Sequence, residues 1–506
     1  MHSSFVDYLS SNDGYRCGYC KCVDSNYSHG MICYALTVND YSALVNRGWR
    51  RSGKYCYKPT LHKACCPQYT ISCDTTNFVL SRSQKKVLKC MNRFLQTGIK
   101  PKKDLIKMET EYSEDDFPEK SVEYKKLKES PSLEKDILKI RHSSSSDIKN
   151  DEDMKIEDPP QSTSSAELSC STGETSNIKR EKQKPKVGDG ADPNKAPCVK
   201  SKLRKKKRYM AKKSNNEISM VYKLLCHLLM SSIKMKKKTL EQFLNEYDSK
   251  TAVHKLKIKL LRSSPGSREF ENTFSTSYSV YQKYQIAIHG DKKDKCSQSQ
   301  FTRFLVSSPL QEEYRGDIPE GYGSFHQQYW LDDKLIAVGV IDILPTLVSS
   351  VYLYYDPEYS FLSLGTYSAL VELNFTRELC QKNSELKYYY MGLYVHSCPK
   401  LRYKGNYYPS FLLCPETYKW FPIKGAVSKI NKNKYSRLND NGNEVDTEKC
   451  SNISDVRVLH NRVLYKYATF KRRTGKTANE VLMKEYVAFV GTICAERMIY
   501  MLSETL

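Results

Sequence analysis

Long apolar runs are absent from this chain. Nowhere do about 18 apolar residues follow one another, so no membrane-spanning helix is expected. The start, Met1-His2-Ser3-Ser4-Phe5-Val6, lacks the basic stretch and apolar segment of a secretory leader. Without a leader the 18 cysteines are expected in a reducing compartment, cytosolic or nuclear, where structural disulfides do not form. No internal repeat is visible, which argues against a solenoid or propeller. No Ser-His-Asp or Cys-His pattern announces a covalent nucleophile. Negative charge is short as well: 57 Asp and Glu stand against 81 Lys and Arg, a formal net charge of +24. That excess suits an acidic partner, a nucleic acid or an anionic surface. Part of it is local, in Lys200-Ser201-Lys202-Leu203-Arg204-Lys205-Lys206-Lys207-Arg208. Such a run fits nuclear import or a phosphate backbone, and equally a plain solvated tail.

Cysteine is plentiful before Cys90, and its spacing says more than any other feature. Cys17-Gly18-Tyr19-Cys20 and Cys65-Cys66-Pro67 put four thiols in two close pairs separated by a domain-sized loop. Thiolates select zinc or iron–sulfur clusters, and two intervening residues let both sulfurs of the first pair face one centre. Neighbouring side chains on an extended segment diverge, so Cys65 and Cys66 can share that centre only across a sharp turn, helped by Pro67. Four buried, inert thiols would be the plainer outcome.

The chain divides by composition into four blocks. Residues 1–100 are rich in Cys, Tyr and Gly and read as an N-terminal Cys-rich, metal- or cluster-binding domain. They close on a stripe of Val87, Leu88, Met91 and Leu95 at helical spacing, with Lys85, Lys86, Lys89 and Arg93 between. Residues 101–215 turn to Lys, Glu, Ser, Asp and Pro, too polar to offset the entropy of ordering, and read as a disordered charged insert. Residues 216–425 are aromatic-rich and globular. There Phe325 to Tyr329 and Leu335 to Ile341 make two strands joined at Asp332-Asp333, and Val348 to Tyr355 a third. A helix follows from Gly365 through Tyr367, Leu370, Val371, Phe375 and Leu379, then a strand from Leu386 to Val395. Strand–strand–strand–helix–strand is an α/β (α+β) core. Residues 426–506 form a C-terminal extension ending in a helix from about Ala478 to Leu502.

Several of these runs are familiar. Tyr322-Gly323-Ser324-Phe325-His326-Gln327-Gln328-Tyr329-Trp330-Leu331, Ile336 to Pro345 and Ser349 to Pro357 resemble eukaryotic arginyl-tRNA–protein transferases. So do Tyr403-Lys404-Gly405-Asn406-Tyr407 and Leu412-Leu413-Cys414-Pro415-Glu416-Thr417-Tyr418. Nearer the start, Gly14 to Cys20, Arg47-Gly48-Trp49-Arg50-Arg51-Ser52-Gly53 and Cys65 to Tyr69 are similar to the same family. The resemblance covers roughly residues 5–100 and 275–425; Phe411 departs from it, standing where many members carry Asp. It implies an acetyltransferase-like (GNAT-like) catalytic core. It also implies transfer of arginine from arginyl-tRNA to the N-terminal Asp or Glu, or oxidised Cys, of a protein, which marks that acceptor for ubiquitin-dependent degradation. The family's cluster ligands fall on Cys17, Cys20, Cys65 and Cys66, for an iron–sulfur cluster, [4Fe–4S], or zinc. Cys22 and Cys56 are extra thiols nearby. Partners are then arginyl-tRNA and acidic N-termini, with no membrane, and the protein is expected to be a monomer.

The implied reaction is aminolysis of an activated ester, which needs positioning, deprotonation of an ammonium and stabilisation of an oxyanion. An acidic acceptor calls for cations, and Arg303, Arg402 and Lys404 are the candidates. The arginyl guanidinium calls for a carboxylate, for which Asp342 is chosen. His326 is the candidate for proton transfer, with Tyr329 beside it. Tyr329, Tyr354 and Tyr390 also suit cross-strand packing or stacking of an unpaired base. Gly365 opens a helix whose free N–H groups could receive a phosphate, or is a simple turn glycine. Two other readings stay open. An acetyl-CoA-dependent acetyltransferase would want a Gly-rich loop where Ser363-Leu364-Gly365 offers one glycine; a non-enzymatic metal- or redox-sensing RNA-binding protein would need only the thiols and the basic insert.

Overall fold

The computed structural model describes residues 3–12, 14–101 and 238–502. The 101–215 insert and its basic run therefore lie outside the described residues, except for Pro101 at the edge. Strands and the helices of eight or more residues are numbered along the chain. The first part holds β1 (Phe5–Ser11), β2 (Ser28–Ala35), α1 (Val38–Val45), β3 (Arg50–Ser52), β4 (Tyr55–Pro59), β5 (Tyr69–Asp74) and α2 (Arg82–Thr97). Then come β6 (Leu256–Ser264), α3 (Arg268–Tyr284), β7 (Gly323–Leu331), β8 (Lys334–Leu344), β9 (Leu347–Tyr355), α4 (Leu364–Lys382) and β10 (Tyr388–Tyr394). The rest comprises β11 (Ser410–Leu413), β12 (Trp420–Pro422), α5 (Ile423–Ile430), β13 (Arg457–His460), β14 (Val463–Lys466), α6 (Tyr467–Thr474), α7 (Glu480–Arg497) and β15 (Ile499–Met501).

The central hairpin shows how sequence sets this fold. Asp332 and Asp333 both adopt positive φ, 49° and 66°, the two-residue turn whose twist matches paired strands. β7 and β8 zip from Leu331↔Lys334 onward, and β8 is buried from Leu335 to Leu344 because both faces are covered. β9 returns antiparallel to β8. α4 then crosses over, and β10 runs parallel to β9. Together they belong to an eight-stranded mixed sheet in the order β12-β11-β5-β10-β9-β8-β7-β6. α4 packs on β9, β10 and α2, while α3 covers the β8–β9 end through Val280, Tyr281, Val338, Val340 and Tyr354. α2 is bounded as its ends dictate, by a Ser81–Gln84 capping box and by Gly98 in the left-handed region.

The compositional blocks do not divide the fold. β5, from the Cys-rich block, lies between β11 and β10 inside the eight-stranded sheet, and all described residues belong to one compact unit. Every residue of Tyr69–Asp74 is buried, so its backbone needs a partner strand on each side, and only the later chain supplies them. The C-terminal block is interleaved likewise. It contributes β13, β14 and β15 to a seven-stranded sheet, β14-β13-β15-β1-β2-β4-β3. The terminal helix expected to reach Leu502 stops at Arg497, with a break at Gly491 (φ 82°, ψ 167°), and β15 pairs in parallel with β1 and β13. No helix among the described residues is long and apolar enough to cross a membrane.

Candidate active site beside the thiolate centre

β9 and β10 pair over only three positions, Tyr388↔Leu347, Tyr389↔Val348 and Tyr390↔Ser349. Beyond them β9 stays with β8 and β10 with β5, whose pairing skips Met391 and Gly392. The strands part, leaving carbonyls that a ladder would have used, and cations take them. The Lys404 ammonium donates to Met391 O (2.6 Å) and Leu393 O (3.1 Å) on one side, and Arg50 Nη2 donates to Ser350 O (3.3 Å) on the other. Burial, and secondarily Arg50, lowers Lys404 to about 7.

Two polar layers flank this gap. Toward β3, residues opposite one another across five strands form a row: Ser324, Asp342, Ser349, Tyr390 and Ser72. Asp342 sits in it with both oxygens taken by Arg51, at 2.7 Å from Nε and 2.6 Å from Nη2, and with the Ser324 hydroxyl at 2.7 Å. Toward α4 lies Glu372, 1% exposed, which accepts from the Tyr389 hydroxyl at 2.6 Å. Burial pushes its carboxyl up to about 7, against the pull of the Tyr389 and Ser350 hydroxyls. Gly339 leaves room beneath it: a Cβ there would stand 2.6 Å from Glu372 Oε1, so the carboxyl would have to shift. Gly392 plays the same part under Arg50: its φ is +83° and a Cβ would stand 2.8 Å from Nη2. Gly392→Ala is expected to cost about 1–3 kcal/mol through strain and displaced guanidinium; a thermal melt matching the unaltered protein would contradict this.

The thiols adjoin the gap. The Sγ atoms of Cys17, Cys20, Cys65 and Cys66 all lie within 4.8 Å of one another, with Cys20 and Cys65 at 3.3 Å. A tetrahedral zinc with Zn–S near 2.3 Å sets sulfurs about 3.8 Å apart, so the donor set fits a metal or cluster. Local turns make it possible. Lys21, at φ 67°, folds the first pair back through Lys21 N to Cys17 O, and the turn from Thr60 to Ala64 delivers Cys65 and Cys66 ahead of β5. Cys17 and Cys66 pack with Val395, and Ser397 donates to Cys66 Sγ at 3.5 Å, where β10 ends and the chain heads toward Lys404. Cys22 is exposed outside the quartet, and Cys56 is buried in β4.

The residues chosen from sequence are not all at this place. Lys404 is, and Arg402 lies two residues before it, half-buried. Arg303 is exposed on a short helical turn, with its carbonyl against Gly53. His326 is fully buried two strands from the gap, its Nε2 on Leu305 O at 3.0 Å and its ring edge-on to Phe270. Burial pulls it down to about 4, so it is neutral at pH 7. The Tyr329 hydroxyl donates to Gln327 Oε1 at 2.7 Å inside the core. A substrate guanidinium would have to displace Arg51 to reach Asp342. Gly365 stands in the first turn of α4 with open space around it, next to a cavity of about 50 Å³ lined by Ser363, Thr366, Lys86, Tyr403 and Tyr407 among others. Arg50, Arg51 and Glu372 went unassigned in the sequence. Two adjacent arginines at a tight glycine turn were the available signal for the first pair, and an acidic residue on the buried stripe of α4 for the third.

The described residues thus make a mixed α/β protein with cations on the rims of a strand gap, a buried carboxyl on its α4 side and a cluster of four thiols close by. The family models for the N terminus and C terminus of arginine-tRNA-protein transferase match residues 15–86 and 276–414. The chain is 39% identical to arginyl-tRNA–protein transferase 1 of Drosophila melanogaster over 99% of its own length and all of the fly protein. It is 34% identical to arginyl-tRNA–protein transferase 2 of Arabidopsis thaliana, covering 84% of this chain and 76% of that one. A shorter match, 35% over 20% of this chain and 41% of the other, is to an aspartate/glutamate leucyltransferase of Campylobacter jejuni. The chain belongs to the arginyl-tRNA–protein transferase family.

Proposed function

We propose that this protein transfers arginine from arginyl-tRNA to the N-terminal Asp or Glu of acceptor proteins, marking them for ubiquitin-dependent degradation. The observation that carries the reading is the parted β9–β10 pair, with Arg50 and Lys404 on its rims and Glu372 beneath, directly beside the four thiols. The acceptor's α-amine attacks the arginyl carbonyl, and the tRNA ribose hydroxyl leaves. The ester is already activated, so the protein's work is to hold two substrates and move one proton. Lys404, titrating near neutrality at the rim, is the group best matched to take that proton. Arg402 and the first turn of α4 at Gly365 are assigned to the tRNA end, where free N–H groups favour a phosphate.

The β7–β10 strands with α4 between the parted pair support an acetyltransferase-like core. Cys17, Cys20, Cys65 and Cys66 would hold a [4Fe–4S] cluster or zinc, which when bound would cross-link the Cys17–Cys20 turn to the approach to β5, with the segment after β10 packed against them. Reduced thiols suit the cytosol or nucleus. The test uses labelled arginyl-tRNA and two peptides that differ only in beginning with Asp or Ala. Transfer is expected to the first alone; transfer to neither, or to both equally, would overturn the reading.

A further inference from the structure

Three arginines leave the turn between α1 and β4 for the interior, and two of them meet a carboxylate. Arg47 is bidentate to Asp446, and Arg51 to Asp342. The third, Arg50, is 7% exposed and has no acidic partner among the described residues. Of its five donor hydrogens one is used, on Ser350 O, and Nη1 is buried with no hydrogen bond at all. A buried guanidinium left so is costly, by several kcal/mol in general, unless something outside the chain completes it.

Its surroundings share the deficit. The hydroxyls of Ser72 and Ser349, which stand on either side of Tyr390 in the polar row, are also buried without partners. Tyr390 itself is within electrostatic reach of Arg50, as is Lys404. Gly392, lacking a Cβ, lets the guanidinium lie against β10 where the strands part. Unused donors and positive charge therefore converge on one end of the gap. The complement is a small anion that can accept several hydrogen bonds in one plane, which is a carboxylate. A phosphodiester is tetrahedral and flanked by two sugars, and it suits the open first turn of α4 better than a guanidinium sunk beneath a strand.

Resting on the function proposed above, we infer that Arg50 is the specificity-determining residue for the acceptor: it receives the side-chain carboxylate of the first residue, with Ser72 and Ser349 beside it. Neutral first residues are then refused because they leave the guanidinium buried and unpaired.

The test measures binding by the full-length, metal-loaded protein of two labelled peptides identical except for Asp or Asn at the first position. The unaltered protein is expected to prefer Asp by ~10–100-fold. Arg50→Met should abolish that preference while leaving the KM for arginyl-tRNA unchanged; Arg50→Lys, which keeps charge but not the fork, should retain only part of it. Absence of any Asp preference in the unaltered protein overturns the inference. So does full preference in folded Arg50→Met, or a raised KM for arginyl-tRNA with the preference intact, which would assign Arg50 to a phosphate. Should Arg50→Met fail to fold, undiminished preference in Arg50→Lys is equally fatal. A protein that selects Asp through Arg50 yet moves no arginine would sink the proposed function and leave this inference standing.

Discussion

Cys66→Ser is expected to release the metal or cluster and lower arginine transfer by about 100-fold or more, whereas Cys22→Ser should do neither. Serine offers a neutral hydroxyl where a soft ion wants thiolate, so the loss is chemical and not merely steric. Position enlarges it. Cys66 is 6% exposed and packs with Cys17 and Val395, and Ser397 donates to its sulfur. Those contacts fix the segment that runs from the end of β10 to Lys404, whose ammonium holds two carbonyls of the parted strand. Once the Cys17 and Cys66 turns are no longer held together, the segment packed on them no longer presents the rim of the gap in one geometry, and a misplacement of an ångström is enough to cost two orders of magnitude. Iron, sulfide and zinc analysis of the purified variant checks the first half, and the arginylation assay checks the second. A Cys66→Ser protein with its full complement of metal would remove Cys66 from the ligand set.

The second large effect concerns the buried Arg51–Asp342 pair on the β3 side of the sheet. Asp342→Leu alone is expected to destabilise the protein by about 3–5 kcal/mol, and Arg51→Met alone by a similar amount, because each leaves a charge buried without its counter-charge. Arg51→Met combined with Asp342→Leu should recover most of the loss, since the desolvation of both ions disappears with them. The starting point is unusually well sealed: the Arg51 and Asp342 side chains are 1% and 0% exposed, joined by two hydrogen bonds and braced by Ser324. Denaturant unfolding of the three variants measures it. The outcome also separates two roles for Asp342. A structural partner of Arg51 gives the non-additive pattern just described. A receptor for the arginyl guanidinium would instead leave stability nearly intact and raise the KM for arginyl-tRNA.

What the sequence disclosed follows the range of the forces involved. The β7–β8 hairpin, β9, α4 and β10 were legible because alternation, a two-Asp turn and helical spacing are local. The clustering of the four thiols was legible because thiol spacing is itself a chemical constraint. β5 was not: Tyr-Thr-Ile-Ser-Cys-Asp alternates apolar and polar residues but is short and buried on both faces, and its partners lie more than 300 residues away at Tyr388–Tyr394 and Ser410–Leu412. β15 was absorbed into the preceding helix because Ile-Tyr-Met continues its apolar character; only Gly491 hinted at a break. His326 and Asp342 were singled out as polar residues in apolar strands, a pattern that marks a satisfied core site as readily as a reactive one. Arg50 escaped because its distinction is the lack of a partner, which no single segment can reveal.

The seven-stranded sheet has a consequence for how the molecule is made. β1 is seated between β2 and β15, and β15 is translated almost five hundred residues after it. At 5–20 residues per second, one flank of β1 waits roughly half a minute to a minute and a half for its mate. Throughout that interval an unpaired backbone edge is on offer to any neighbouring nascent chain. Yield in the cell should therefore depend on chaperone supply more than the finished protein's stability suggests, and stalled translation products should be cleared and not accumulate as partial domains.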